Sequence, residues 1–180
     1  MKNGIIILFF VFVSVQLQAQ QKENYTVIRL VIVSDDNELL LRKTKYGWMT
    51  PAINYKTKQT QTEVIDSLSS GYGIQITDIK LAGVFTYRYV FADVVSTRLF
   101  YVAKHKNGIL RSSSLDEEVF WVPKNIALEK LGETVDSLKL MISQVLNFPN
   151  TLWGGAFLLL RDQEKNLRSK QIEGFYSLRS

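Results

Sequence analysis

The sequence predicts one α/β domain, in which strands and helices follow one another along the chain. Residues 25–33 are almost continuously apolar and rich in β-branched side chains, as in a buried strand. Residues 84–91 alternate between aromatic and other side chains, which indicates a strand with one aromatic face. Apolar residues with helical spacing occur within residues 64–68 and again within residues 127–146. These two kinds of periodicity together predict the fold class.

The first two strands are predicted to form a hairpin. Residues 34–37 are Ser-Asp-Asp-Asn, a turn sequence, and residues 38–42 return as a second strand. Residues 43–58 follow as a long polar and aromatic connection that contains Trp48.

The first helix has recognisable ends. Thr60 and Glu63 have the spacing of a capping box, in which the threonine oxygen accepts a backbone N–H bond and the glutamate bonds back to the cap. Gly71 and Gly73 are predicted to end this helix.

The second half of the chain continues the alternation of strands and helices. Further strands are predicted at residues 74–81, 84–91, 98–104 and 119–122. Pro123 is suited to open a helix that runs to about Leu146, and Gly132 marks a point at which it would break in two. Residues 156–160 and 174–178 are predicted to pair around the polar segment 161–170.

The N-terminal residues have the layout of a secretory signal peptide. Lys2 precedes an unbroken apolar run at residues 5–13, and Ala19 is a small residue suited to cleavage. The run is about half the length that spans a bilayer, and an uncleaved anchor stays open as the alternative. We therefore predict an exported protein, periplasmic or secreted, with no membrane span after cleavage. The predicted divisions are a signal peptide at 1–19, a domain at 25–146 and a C-terminal extension at 147–180 packed on the same domain.

The composition of the 180-residue chain excludes several classes of function. The formal net charge is +5, but the basic residues are scattered, which argues against nucleic acid as a partner. The absence of cysteine excludes disulfides, thiol catalysis and thiolate zinc sites. His105 is the single histidine and lies between two lysines in a predicted surface turn, where nothing indicates a catalytic triad.

Several short motifs follow one another in a distinctive order. They are Leu39-Leu40-Leu41-Arg42, Gly47-Trp48-Met49-Thr50-Pro51, Leu68, Tyr72-Gly73-Ile74, Gly83-Val84-Phe85-Thr86-Tyr87 and Trp121-Val122-Pro123-Lys124. In order and spacing these motifs resemble the Nudix hydrolase family over roughly residues 25–131. The resemblance implies a mixed β-sheet sandwiched between helices, followed here by the C-terminal extension.

The resemblance also implies where the catalytic motif of the family, the Nudix box, lies in this chain. Its end aligns with Gly73 and Ile74, and the aliphatic position of the box is kept as Leu68. The opening glycine of the box falls on Ala52 and its arginine on Asp66. The glutamates of the box fall on Lys58, Ser67, Ser70 and Gly71. Active members hold magnesium on such carboxylates against a diphosphate. Because the acids are missing, we predict no catalytic residues, no metal and no cofactor.

A displaced metal site stays open as an alternative. Asp116, Glu117 and Glu118 would join Glu63 to hold Mg²⁺, although three consecutive acids more often form a solvated loop. The capping box is the simpler explanation of Glu63.

Three residues are candidates for ligand binding: Arg29, Trp48 and Tyr87. Arg29 shares a strand face with apolar residues, where a charge is expensive to bury without a partner. Two partners are predicted for it, an internal carboxylate such as Glu63 or Asp66, or the phosphate or carboxylate of a ligand. The family resemblance favours the ligand, because the corresponding strand face looks into the substrate cleft.

Two further segments each allow two interpretations. The aromatic face that contains Tyr87 either stacks on a base or sugar or is core. Residues 148–155, with their paired glycines, either bind a partner or ligand or form a lid that packs Trp153 onto the domain.

The sequence thus predicts an exported, catalytically inactive Nudix-fold protein, a pseudoenzyme. Its partner is predicted to be a nucleotide or other small anionic ligand held in a retained cleft, or another protein. The alternative function is a divergent Nudix hydrolase that cleaves a nucleoside diphosphate derivative or a related pyrophosphate with a displaced metal site.

Overall fold

The computed structural model describes residues 24–56 and 58–179, so the predicted signal peptide lies outside the described residues. The strands in this part of the chain are β1 (Tyr25–Val33), β2 (Glu38–Thr44), β3 (Gly47–Met49), β4 (Ala52–Tyr55), β5 (Ile74–Tyr89), β6 (Val94–Gly108), β7 (Glu117–Pro123), β8 (Trp153–Arg161) and β9 (Leu167–Ser177). The helices are α1 (Gln61–Gly71), α2 (Lys124–Thr134) and α3 (Asp136–Asn147). Each of these helices is too short or too polar to cross a membrane.

The strands form one mixed sheet in the order β3-β2-β1-β6-β5-β8-β9, with β4 paired to β1 and β7 paired to β2. The β1–β6 and β5–β8 pairs are parallel, and the other pairs are antiparallel. The predicted mixed sheet between helices is confirmed. The C-terminal hairpin of β8 and β9 is continuous with the sheet, because β8 pairs with β5.

The alternation of side chains along β1 divides the interior into two layers. Ile28 and Leu30 belong to an apolar cluster with Val64 of α1. Val31 points to the other face and belongs to the cluster that contains Leu131 of α2 and residues of α3. Because successive side chains on a strand point to opposite faces, Arg29 lies on the α2–α3 side of the sheet.

The predicted ends of α1 are confirmed. The Glu63 amide donates to Thr60 Oγ1 over 3.3 Å, and the Thr60 amide donates to Glu63 Oε2 over 2.7 Å. The helix ends at Gly71, and Gly73 follows with a φ of +76°, in the left-handed region that favours glycine.

The predicted helix after Pro123 is two helices, and the break lies at Val135 instead of Gly132. Val135 has an extended conformation, with φ −164° and ψ 127°, and it forms the C-cap of α2 and the N-cap of α3. Gly132 stays within α2, since glycine weakens a helix without having to end it.

Three predictions for the central segments are wrong. Residues 74–81 and 84–91 are not separate strands, because β5 runs through both with a register irregularity beside Gly83. The ring of Phe85 occupies the space that a Cβ at Gly83 would need, which explains a glycine there. The predicted turn at His105 is part of β6, and the predicted connection at 43–58 contains β3 and β4.

The predicted pairing near the C-terminus is correct in its elements and wrong in its register. Ala156 pairs with Glu173 and Leu160 with Arg168, so the turn is shorter than the predicted segment 161–170. Trp153 begins β8, and its indole donates to the Phe148 carbonyl over 3.3 Å while its ring packs against the core. This geometry fits the structural interpretation of residues 148–155.

Candidate functional site

A cleft of about 940 Å³ opens on the α2–α3 side of the sheet. Its walls are β3, the junction of α2 and α3, and the C-terminal hairpin. All three ligand-binding candidates, Arg29, Trp48 and Tyr87, line this cleft. Its volume lies in the range of small-molecule sites in proteins, which is about 300–1,000 Å³.

Arg29 is a buried cation held by neutral groups. Its Nη1 donates to the carbonyl oxygen and to Oγ1 of Thr50, both at 3.0 Å, and its side chain lies 5.8 Å from the centroid of the Phe100 ring. The residue is only 5% exposed, and its buried Nε has no hydrogen-bond partner. The guanidinium therefore keeps unused hydrogen-bonding capacity at the wall of the cleft.

The predicted internal carboxylate partner of Arg29 is wrong. Glu63 and Asp66 are exposed on α1, which packs on the other face of the sheet. No ion pair among the described residues involves Arg29. Burial, and to a lesser degree the nearby charge of Arg98, lower the pKa of Arg29 to about 9. The side chain is still cationic at neutral pH.

Arg98 is a second cation of the cleft that the sequence analysis did not single out. Its Nε donates to Ser96 Oγ over 3.0 Å, and its Nη2 donates to the Tyr89 hydroxyl. Its guanidinium lies 5.0 Å from the centroid of the Tyr87 ring. Arg98 is the first residue of the predicted strand 98–104, so the sequence offered no signal like the central position that identified Arg29.

Tyr87 forms part of the cleft floor, but its hydroxyl is already engaged. The hydroxyl lies 2.7 Å from Ser137 Oγ, and burial raises the pKa of Tyr87 to about 12. The ring makes edge contacts with Tyr89 and Phe157. The aromatic strand face is therefore core at Tyr87 and becomes progressively more exposed toward Phe91.

Trp48 is held in place through its backbone. Its N–H donates to Thr134 Oγ1 over 2.7 Å, and the same hydroxyl donates to the Trp48 carbonyl over 2.8 Å. The ring lies 4.6 Å from Lys130 Nζ and 5.7 Å from Lys43 Nζ. These contacts fix a half-buried indole at the mouth of the cleft.

The cleft is strongly cationic. The basic residues that line it are Arg29, Arg98, Arg161, Lys165 and Arg168, whereas Glu133 is the acidic residue among the described lining residues. Arg168 is paired with Asp162 over 3.0 Å at the hairpin turn. Positive charges in a cleft with low-dielectric walls attract anions, so the arrangement favours an anionic ligand.

Comparison with solved structures identifies the fold. A MutT mutator protein from Bacillus halodurans superimposes with a TM-score of 0.60 at 19% identity, covering 82% of this chain and 97% of its own. A Nudix hydrolase from Nitrosomonas europaea superimposes with a TM-score of 0.60 at 12% identity, covering 69% of this chain and 90% of its own. A MutT protein from Methanosarcina mazei superimposes with a TM-score of 0.55 at 14% identity, covering 72% of this chain and 98% of its own. The chain has the Nudix fold. No family model and no curated protein matches its sequence.

The residues that the family resemblance assigns to the Nudix box lie outside the cleft. Lys58, Asp66, Ser67 and Ser70 are exposed, and Gly71 is half-buried at the end of α1. Ala52 pairs with Arg29 in the sheet, and Leu68 packs against the α1-side core. None of these residues lines the cleft.

Two acids of the predicted displaced metal site, Glu63 and Glu117, have other partners, and the other two, Asp116 and Glu118, are exposed. Glu63 accepts hydrogen bonds from the backbone amide and hydroxyl of Thr60. Glu117 is buried and forms a 3.1 Å ion pair with Arg42. Among the described residues, no three histidine, aspartate or glutamate side chains are grouped so that they could hold a metal ion.

His105 is not the exposed turn residue that the sequence predicted. It is half-buried in β6, where its ring lies 5.2 Å from Trp121 and its buried Nε2 has no hydrogen-bond partner. It lies outside the cleft.

Proposed function

We propose that this Nudix-fold protein binds a small anionic ligand, a nucleotide or a related phosphate or carboxylate, and does not hydrolyse it. The observation that carries the proposal is Arg29, a buried guanidinium with no acidic partner among the described residues, at the wall of a cationic cleft. Burying a charge without a counter-ion costs roughly several kcal/mol of folding free energy. An anion that binds beside Arg29 supplies the missing counter-ion, so its binding is favoured.

Hydrogen-bond geometry supports an oxyanion ligand in particular. A guanidinium presents planar N–H donors that match phosphate and carboxylate oxygens. Nη2 of Arg29 has no hydrogen bond among the described residues and, unlike Nε, is not fully buried. Arg98 adds a second cation close enough to lower the pKa of Arg29. An anion between them would relieve this repulsion, which is the reason to expect binding without any metal.

The proposed lack of hydrolysis rests on the box positions. Ser67, Ser70 and Gly71 stand where carboxylates are expected from the Nudix resemblance, and neutral side chains do not neutralise the charge of a magnesium ion. The protein would then use the fold for recognition alone.

The experiment is a calorimetric titration of the purified protein with nucleoside mono- and diphosphates, inorganic pyrophosphate and the matching uncharged nucleosides. We expect the phosphorylated compounds to bind without added metal and the nucleosides to bind at least about tenfold more weakly, as for the loss of a charge-assisted hydrogen bond. Arg29→Met should abolish the difference between the two classes.

Arg88→Met is the matched control for this titration. Arg88 is exposed on β5, two strands from Arg29 in the sheet order and on the opposite face from Tyr87. Its loss should leave the affinities unchanged. Equal binding of charged and uncharged compounds, or an Arg29→Met variant with unchanged affinity, would contradict the proposal.

We also propose that the protein is exported, periplasmic or secreted, with cleavage after Ala19. The support is the basic start, the short apolar run at residues 5–13 and the small residue that follows. N-terminal sequencing of the protein isolated from its host should give Gln20 as the first residue. A chain that begins at Met1 in the membrane fraction would refute the prediction.

A further inference from the structure

The cleft contains a second group of cations, which comes from the C-terminal hairpin. Arg161 ends β8, and Lys165 and Arg168 follow in the turn and in β9. Arg168 is paired with Asp162, whereas Arg161 and Lys165 have no ion pair within residues 24–56 and 58–179. We call Arg161 and Lys165 the outer pole, and Arg29 and Arg98 the inner pole.

A row of aromatic rings separates the two poles. The Tyr87 and Tyr89 centroids are 6.1 Å apart, and those of Tyr89 and Phe91 are 5.7 Å apart. The guanidinium of Arg98 lies 5.0 Å from the Tyr87 centroid at one end, and that of Arg161 lies 4.6 Å from the Phe91 centroid at the other. Arg98 also donates to the Tyr89 hydroxyl, so it reaches the middle of the row. Arg29 is three strands from β8 and level with Trp153, which is eight residues before Arg161. At about 3.3 Å per residue, the Arg29 and Arg161 backbones are therefore roughly 25 Å apart along the strand direction.

We propose that the ligand of this cleft is an elongated molecule with an anionic group at each end. This inference rests on the proposed function and specifies the ligand further. The inner pole binds one anionic group, the outer pole binds the other, and the middle of the ligand lies over Tyr89 and Leu159, which line the cleft between the poles.

The separation of the poles is the reason for this inference. A compact anion on the buried Arg29 does not reach Arg161 across the aromatic row, so the outer cations would stay without a counter-charge. Linking two anionic groups turns the second contact into an intramolecular one, which raises affinity without any new type of interaction. The cleft of about 940 Å³ has room for such a ligand.

The test uses alkane bisphosphates of increasing chain length, which have a phosphate at each end. The affinity of each is compared with that of the alkyl monophosphate of the same length. We expect a bisphosphate of intermediate length to bind about tenfold or more tightly than its monophosphate, and the shortest bisphosphate to gain little. A parallel series of alkane dicarboxylates distinguishes a preference for phosphate from a preference for carboxylate.

Two variants separate the poles. Arg161→Met should weaken the best bisphosphate by about tenfold, much more than it weakens the monophosphate, whereas Arg29→Met should weaken both. Arg88→Met is again the control and should change neither. Bisphosphates that bind no better than monophosphates at any length, or an Arg161→Met variant that weakens both equally, would overturn the inference while leaving the proposed function intact. If neither the phosphates nor the carboxylates bind, the proposed function fails as well.

Discussion

At the scale of single residues, the two charges that are buried among the described residues, Arg29 and Glu117, are stabilised in different ways. Glu117 has an ion pair with Arg42 and accepts a hydrogen bond from the Ser113 hydroxyl. Arg29 has only the carbonyl and hydroxyl oxygens of Thr50. Neutral acceptors satisfy part of a guanidinium's hydrogen-bonding capacity but do not balance its charge. Substitutions of Arg29 and of Glu117 should therefore change the free energy of unfolding by different amounts.

We expect Arg29→Met to change the free energy of unfolding of the ligand-free protein by less than about 2 kcal/mol. The loss of the hydrogen bonds to Thr50 is offset because an unbalanced buried charge is removed. Glu117→Gln is the comparison, because it leaves Arg42 without a counter-ion. It should lower the free energy of unfolding by about 2–3 kcal/mol, which is less than for a fully buried pair because Arg42 is partly solvated. Urea unfolding of both variants measures this. A larger loss for Arg29→Met than for Glu117→Gln would assign Arg29 a structural role.

The pH dependence of anion binding should also report on Arg29. The pKa of Arg29 is about 9 in the folded protein, which is lower than in the unfolded chain. Burial of the charged side chain therefore reduces the free energy of unfolding at pH values below about 9. This penalty fades as the pH rises above about 9, because the folded protein then releases the proton. The charges of Arg98 and Arg42 add to the lowering, and Tyr87 and Tyr89 oppose it. We expect the affinity for sulfate, whose charge is constant over this range, to fall as pH rises through about 9. An affinity that stays constant until lysines titrate, at about 10, would contradict the assignment.

The sequence contained the signal for some site residues and not for others. Arg29 could be predicted, because a charge at the centre of an apolar strand needs a partner. Arg98 did not carry this signal, because it opens the predicted strand 98–104 and becomes central only in the longer β6. Arg161 could not be identified, because its role depends on β8 pairing in parallel with β5, which brings it beside Phe91. A contact between strands distant in the chain is not visible in local sequence patterns.

At the scale of elements, the structure explains which sequence patterns were sufficient. The ends of α1 were predictable, because its cap is a local interaction between Thr60 and Glu63. The three-residue β3 was not, because alternation cannot be recognised over so short a segment. The continuity of β5 past Gly83 depends on its pairing with β6 across a register irregularity, which is a tertiary property.

The capping box of α1 leads to a prediction about this element. Hydrogen bonds from the backbone and side chain of Thr60 lower the pKa of the Glu63 carboxyl. Because this pKa is below the unfolded value, the contribution of Glu63 is present above the unfolded pKa and is lost as pH falls through the folded one. We expect Thr60→Ala to lower stability by about 1 kcal/mol at neutral pH. The difference between the two proteins should shrink in acid, which thermal unfolding across the acidic range would measure. A difference that is independent of pH would show that the Glu63 interaction adds nothing.

At the scale of the whole molecule, the sheet separates the box helix from the cationic cleft. α1 covers one face through Val64 and Ile65, while Arg29 and Tyr87 lie on the α2–α3 face. The C-terminal hairpin extends the sheet and adds cations to the cleft. The Nudix fold is thus combined here with a strongly cationic wall on the face of the sheet away from α1.

This arrangement predicts no metal-dependent hydrolysis of pyrophosphate bonds. Magnesium needs several oxygen ligands that include carboxylates, and the box positions Ser67, Ser70 and Gly71 supply none. Of the remaining candidates, Glu63 and Glu117 are held by Thr60 and Arg42 respectively, and Asp116 and Glu118 are exposed. Within the described residues, these acids form no group of three that could hold a metal ion. We expect a panel of nucleoside diphosphate derivatives and inorganic pyrophosphate to release no phosphate above the uncatalysed rate with magnesium or manganese. The same panel should still bind in the cleft, and Arg29→Met should remove that binding, so binding and turnover are measured on one preparation. Metal-dependent turnover that disappears in Glu63→Gln or Glu117→Gln would show that a displaced metal site forms when substrate is present, and the protein would then be an enzyme.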